Sequence, residues 1–144
     1  MKNDNGRYLS IDMGINNLIT AYDNKGYSFI IKGNSYQNTL YYYNKKISYY
    51  QSLEARFRNI SNENLNISTK RINKLNVIKK RKIEYILHTS SKRIVDYCVE
   101  NEINTVIIGD IKGIRENNDI GKNNNQKLHS LPFNLSLYDN LLYS

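Results

Sequence analysis

The chain has 144 residues, 40% of them hydrophobic, which is enough for one domain with a modest core and not for two. Its 21 Lys and Arg against 13 Asp and Glu give a net charge of +8 and a pI near 9.5, a balance that points to a polyanionic partner, most often nucleic acid. No apolar run approaches the roughly 18–20 residues of a membrane span, residues 1–7 lead into no signal-peptide core, and the single Cys98 excludes an internal disulfide framework or a Cys-rich zinc site. A reduced, cytoplasmic protein with no membrane partner and no disulfide-linked partner is therefore expected. In chain order, Tyr8–Gly14, Leu18–Tyr22 and Tyr27–Ile31 alternate or are rich in strand formers. Asn16-Asn17 and Asp23-Asn24-Lys25-Gly26 punctuate them as turns, which predicts a three-strand antiparallel meander. So small a meander is marginal alone and needs helical cover.

From Ser35 to about Asn59 the apolar spacing turns helical, with Leu40, Tyr43, Ile47, Tyr50, Leu53 and Phe57 three or four residues apart. The cluster Tyr41, Tyr42, Tyr43, Tyr49 and Tyr50 is read as packing, with base stacking as the alternative. Residues 60–67 read as a loop. A second helix is predicted from about Ser68, with Ser68 or Thr69 as cap, to Asn101, its stripe running through Ile72, Leu75, Val77 or Ile78, Ile83, Ile86, Leu87, Ile94, Val95 and Cys98. At roughly 33 residues it would be about 50 Å long, too long for a compact domain of this size, so the two helices are expected to pair as a long antiparallel hairpin. Asn104–Ile111 then reads as a central strand buried on both faces, Lys112–Lys127 as a polar loop, and Pro132 as the start of a last helix. The plan β-β-β-α-α-β-α is α/β and reads as incomplete at the C-terminus.

Three places could carry chemistry. Asp12 sits mid-strand before Gly14, where a buried carboxylate would need a cation or several hydrogen bonds. Asp110 ends the apolar strand, where ligands of open α/β sheets bind. Acids on neighbouring strands could share Mg²⁺ and clamp a phosphodiester. The third is the run Lys70, Arg71, Lys74, Lys79, Lys80, Arg81 and Lys82, with no acid between its ends. A phosphate backbone relieves the mutual repulsion of such a run and releases counterions. If all seven met phosphates, the slope of log K against log salt would be roughly −5 to −6. The 23 Asn residues, beside many Lys and Ile, fit an A+T-rich coding bias and carry no site of their own.

The stretches "SIDMGINNLITAYDNKG", "YYYNKKISYYQSLEAR", "KRKIEYILHTSSKRIVDYCVENEINTVIIGDIKGIREN" and "IGKNNNQKLHSLPF" resemble the TnpB proteins, also called OrfB-type transposases of insertion sequences. These are related to the nucleases of type V CRISPR systems. The resemblance covers most of positions 8–133 and is carried by D-x-G-x-x-N-L at Asp12–Leu18 and by IGD-x-KGI at Ile108–Ile114. It implies a ribonuclease-H-like (RuvC-like) core over residues 7–142, with the helical hairpin as an insertion at about 35–101. It also implies a two-metal Mg²⁺ site and partnership with a guide RNA and target DNA in transposition. Family members carry an N-terminal nucleic-acid-binding part, a CxxC…CxxC zinc ribbon and a last strand with a third catalytic Asp. This sequence shows none of these, so a truncated copy is expected, inactive alone as a nuclease, with a non-catalytic binding or repressor-like module as the alternative. Many members have Glu-Asp where this chain has Gly109-Asp110. Because strand side chains alternate, Asp110 does not simply replace an acid at 109, and Glu116 is a further candidate. The expected catalytic set is thus Asp12, Asp110 and Glu116, with Asp12 and Asp110 as metal ligands.

Overall fold

A computed structural model describes residues 4–14, 16–60 and 66–109 of the chain. The elements are β1 (Tyr8–Met13), β2 (Asn17–Asp23), β3 (Ser28–Lys32), α1 (Asn34–Ile60), α2 (Asn66–Glu100) and β4 (Thr105–Ile108). The predicted loop 112–127 and the helix expected at Pro132 lie outside the described residues. Two compact units result: residues 1–34 with 87–144, and residues 35–86.

In the first unit a mixed four-stranded sheet has the order β3-β2-β1-β4. The meander is antiparallel, with Ile11 opposite Ala21 and Ala21 opposite Phe29, and β4 joins β1 in parallel, with Ile11 opposite Ile108. One face is mainly apolar: Leu9 and Ile11 are buried beside Ile19, Ala21 and Ile31, and Asp23, opposite Leu9, is the charged residue among them. Full burial of a side chain such as Leu9 or Ile19 contributes about 1.5–3 kcal/mol. The other face carries Ser10, Asp12, Tyr22, Ile30 and Ile107, all exposed. This corrects two expectations. β4 is not buried on both faces, since Ile107 is 52% exposed; an unbroken apolar run states what a strand tolerates, and cover on a second face is a tertiary matter. Asp12 is likewise not buried but stands on the open face.

The β2–β3 turn shows why its sequence turns. The Gly26 N–H donates to the Asp23 carbonyl at 2.8 Å, the Lys25 N–H donates to the Asp23 carboxylate at 2.9 Å, and Gly26 takes φ +99°, a conformation free of cost only for glycine. Asp23 is only 1% exposed and also accepts from Arg7 at 2.8 Å and from the Tyr97 hydroxyl at 3.1 Å. The Lys25 amide above all, then Tyr97 and Arg7, hold its carboxyl below the ordinary carboxylate range against the opposing effect of burial. Burial first, then the bond to Asp23, pushes the Tyr97 phenol up. These bonds fasten the end of β2 to the last turns of α2, where Ile94 is fully buried and Tyr97 packs on Phe29 with ring centroids 4.8 Å apart.

α2 ends in a Schellman motif. The Ile103 N–H donates to the Cys98 carbonyl at 2.8 Å and the Glu102 N–H to the Val99 carbonyl at 3.3 Å, with Glu102 at φ +56°. Ile103 and Cys98, the two positions that commonly pair in that cap, are both buried.

In the second unit α1 and α2 pair antiparallel. Lys79 donates to Asn44 at 3.1 Å, Lys82 lies 5.5 Å from the Tyr43 ring, and Arg71 lies 4.9 Å from the Tyr50 ring. Position rises along one helix as it falls along the other. Tyr36, Leu40, Tyr43 and Ile47 form the buried side of α1, spaced by four, three and four as a helical stripe demands. No Gly or Pro occurs between Asn34 and Ile108, so nothing in the local sequence interrupts either helix.

Candidate functional site

The sheet brings Asp12 to the open face near its C-terminal edge, in the register that pairs it with Thr20. β4 runs on into Gly109, whose N–H donates to the Ile11 carbonyl at 3.0 Å. A Cβ at 109 would stand 3.8 Å from Asp12 Oδ1 and 3.7 Å from the Ile11 carbonyl oxygen, ordinary contact distances. Position 109, just past the end of β4, therefore neighbours the Asp12 carboxylate, and it carries no side chain. Asp110 and Glu116, the other two expected acids, lie outside the described residues. Among the described residues no group of three or more His, Cys, Asp and Glu could hold a metal ion. The part of the expected Mg²⁺ site that is described thus amounts to a single carboxylate, too little to fix an ion that prefers its own waters.

The basic run of α2 is divided by the helix rather than presented on one side. Lys79 is half-buried and spent on Asn44, while Arg71 and Lys82 lie over rings of α1. Lys70, Lys74 and Arg81, spaced to share one side, are exposed, and so is Lys80, which lies 3.9 Å from Glu84. A surface pair of that length is worth little. Arg71 and Lys82 are exposed as well, so six of the seven charges face outward, spread around the helix because a contiguous stretch wraps it every 3.6 residues. Of the two alternatives on the apolar stripe, Ile78 is half-buried and Val77 exposed.

The tyrosine cluster also divides. Tyr43 is buried and Tyr50 half-buried, as packing residues should be, whereas Tyr41, Tyr42 and Tyr49 are exposed. Lys45 lies 5.8 Å from the Tyr41 ring centroid and Lys46 4.5 Å from that of Tyr42. The Tyr42 hydroxyl, the largest influence on it, raises the Lys46 pKa and so favours its charged form.

Charge is partitioned as sharply. Residues 35–86 hold eleven Lys and Arg against three Asp and Glu, a net of +8, while the remaining ten bases and ten acids cancel. A groove of about 370 Å³ in the sheet unit, between Phe29 and Ile31 of β3 and Arg93, Tyr97 and Glu100 of α2, holds none of the expected site residues. No described helix is long and apolar enough to cross a membrane.

Among curated proteins nothing matches the chain. Among solved structures it is similar to a chain of the cryo-electron-microscopy structure of the Cas12f1–sgRNA–target DNA complex, with TM-score 0.57 and 17% identity. That likeness covers 99% of this chain and 34% of the other, so the chain spans about a third of the length of its structural relative. At that identity the likeness is one of fold. Residues 2–115, nearly four-fifths of the sequence, match the family model OrfB_IS605, described as "Probable transposase", and the chain therefore belongs to that transposase family.

Proposed function

We propose that this chain binds nucleic acid through the basic outer side of its helical hairpin, as a transposase-family protein of the RNA-guided nuclease kind, with RNA and target DNA as partners. The observation that carries the proposal is the confinement of the whole net charge of +8 to residues 35–86, with Lys70, Arg71, Lys74, Lys80, Arg81 and Lys82 exposed there. Family membership and a fold neighbour solved with sgRNA and target DNA support it. In this reading the sheet is a ribonuclease-H-like (RuvC-like) core and Asp12 the carboxylate of its first strand. The test is fluorescence anisotropy of the chain with a short RNA and a short duplex DNA across a salt series. Six phosphate contacts give a slope of log K against log salt of roughly −4 to −5, from about 0.7–0.9 per phosphate. Absence of binding at low salt, or a slope near zero, rejects the proposal.

A second reading, binding without cleavage, is favoured by one observation: position 109, beside Asp12, is glycine. Mg²⁺-dependent phosphodiester cleavage needs enough carboxylates to hold the ions in fixed geometry, and the described residues supply one. In this reading the chain alone leaves single-stranded DNA intact in millimolar Mg²⁺. Cleavage that Asp12→Ala abolishes would restore the nuclease reading.

A further inference from the structure

The exposed aromatic stripe of α1 is left unused by everything above. Tyr41, Tyr42 and Tyr49 are 70%, 49% and 59% exposed. A single exposed aromatic needs no explanation, but these three share a side. At 100° per residue, positions 41, 45, 49, 52 and 56 and positions 42, 46 and 49 form adjacent rows. The first of these rows lies opposite the buried row of Tyr36, Leu40, Tyr43 and Ile47, and the second flanks it. Lys45, Lys46 and Arg56 fill the gaps in the exposed rows, and no acid interrupts them. Two of the three rings are also braced. Tyr42 meets Tyr43 edge-on at 5.1 Å and 85°, and Tyr49 meets Tyr50 at 5.3 Å and 73°. Tyr42 and Tyr49 are thereby each backed by a less exposed ring, so that less rotamer freedom remains for them to lose on binding. Helix packing does not require rings at these positions, and water is a poor neighbour for them.

From these observations we propose that this side of α1 is a stacking platform for the unpaired bases of single-stranded nucleic acid, with Tyr41, Tyr42 and Tyr49 as the stacking rings and Lys45, Lys46 and Arg56 meeting the backbone phosphates. The occupant follows from charge and shape together. The unit bearing the stripe has a net charge of +8, which selects a polyanion. Exposed rings interleaved with cations suit a strand whose bases are free to turn outward, whereas a duplex hides its base faces and offers only phosphates. Stacking tolerates any base, so the platform reads strandedness and not sequence. This inference rests on the nucleic-acid reading above and deepens it, because it assigns single strands to α1 and leaves duplex phosphates to α2.

The test uses the full chain and two probes of equal length, labelled oligo-dT and its duplex with oligo-dA, with affinities read by anisotropy at fixed salt. Replacing Tyr41, Tyr42 and Tyr49 together by Leu keeps apolar bulk and helix propensity and removes the π faces. The triple Leu variant is expected to lose about 1000-fold in affinity for oligo-dT, from stacking losses of about tenfold per ring. Its duplex affinity should stay within about threefold, and the triple Phe variant should bind oligo-dT like the parent. Far-UV circular dichroism checks that helix content is kept; if Leu reduces it, the same comparison is made with each single Tyr→Leu variant. Parent-like binding of oligo-dT by the Leu variants overturns the platform while leaving the α2 reading standing. Equal losses for single strand and duplex also overturn it, since the rings would then act through the fold. So does a parent dimer, seen in sedimentation, that the Leu variant dissolves with oligo-dT affinity unchanged, because the stripe would then be a surface for a second copy. A parent that binds neither probe rejects the α2 reading together with this one.

Discussion

The sheet unit and the hairpin unit spend their polar residues in opposite ways. In the sheet unit charges are balanced and the buried one is fully partnered: Asp23 is satisfied by three donors, while Asp12 stands exposed on the open face. In the hairpin unit the cations are outside and in excess, and the bonds they make are to rings and an amide more than to acids. A protein that needs only to fold has no use for eleven bases on 52 residues with three acids to answer them. The comparison teaches that stability resides mainly in one unit and the capacity to attract a polyanion in the other. Substitutions can therefore separate the two properties.

The largest expected effect is in the sheet unit. Ile94→Ala removes a fully buried side chain and should cost about 3 kcal/mol, within the 2–5 kcal/mol range for such truncations, read as a lower denaturant midpoint at unchanged slope. The complementary substitution is Lys70→Gln, Lys74→Gln and Arg81→Gln together. Stability should stay within about 0.5 kcal/mol, while affinity for duplex DNA at low salt falls about 100-fold and the salt slope flattens by roughly 2 to 3. If the Gln variant unfolds, or if Ile94→Ala changes the salt slope of the protein that remains folded, the two properties are not separable.

Gly109→Glu asks whether the sheet unit can be given a ligand. A Cβ fits at that position without a clash, and a second carboxylate beside Asp12 should tighten Mn²⁺ binding at least tenfold by calorimetry, an effect that Asp12→Ala removes. No gain in Mn²⁺ affinity would mean that the geometry at 109 does not aim a side chain toward Asp12.

A smaller effect is the acid response of the buried cluster. Asp23 titrates below the ordinary carboxylate value of 3.8 in the folded chain. Its contribution to stability is therefore complete above that value and is lost as pH falls through the lower folded value. Tyr97 titrates above the ordinary 10.0, so its contribution is complete below that pH and is lost as pH rises through the folded value. Thermal melts of Asp23→Asn against the parent should differ most between about pH 5 and 9 and converge toward about pH 2. A gap that stays constant with pH would show that the carboxylate charge is not what matters. The smallest expected effect is a gain. Glu102→Gly relieves a left-handed residue at the end of α2 and should stabilise the chain by about 1 kcal/mol.

Much of the fold was legible because its signals are local. Asp23-Asn24-Lys25-Gly26 names its own turn, alternation fixes which face of β1 holds Leu9 and Ile11, and a breaker-free stretch with three-and-four spacing yields two long helices. What was not legible depends on partners far along the chain. Ile107 and Asp12 were read as buried because their strands are apolar, yet burial of a second face depends on what covers it. The cluster of Asp23, Arg7 and Tyr97 was missed because its members are 16 and 74 positions apart. The Schellman cap was missed because Glu102 is not the glycine that announces one. For the candidate site, Asp12 could be found from its motif, whereas the neighbourhood of Asp12 and Gly109 follows only from the parallel register of β1 and β4.

That register also sets the order in which the chain can fold. The pair β1–β4 joins residues separated by the whole stretch between Met13 and Thr105. The hairpin occupies 52 residues of that stretch, 35–86, and its antiparallel pairing returns the chain to where it left. Once zipped, it shortens the free loop from roughly 91 residues to roughly 39, easing closure by about 0.7 kcal/mol on the logarithmic scale of loop entropy. Helices with local contacts form quickly and distant parallel strands slowly. The meander and the hairpin thus come first and β4 docks last, so a lesion that unzips the hairpin delays completion of a sheet it never touches.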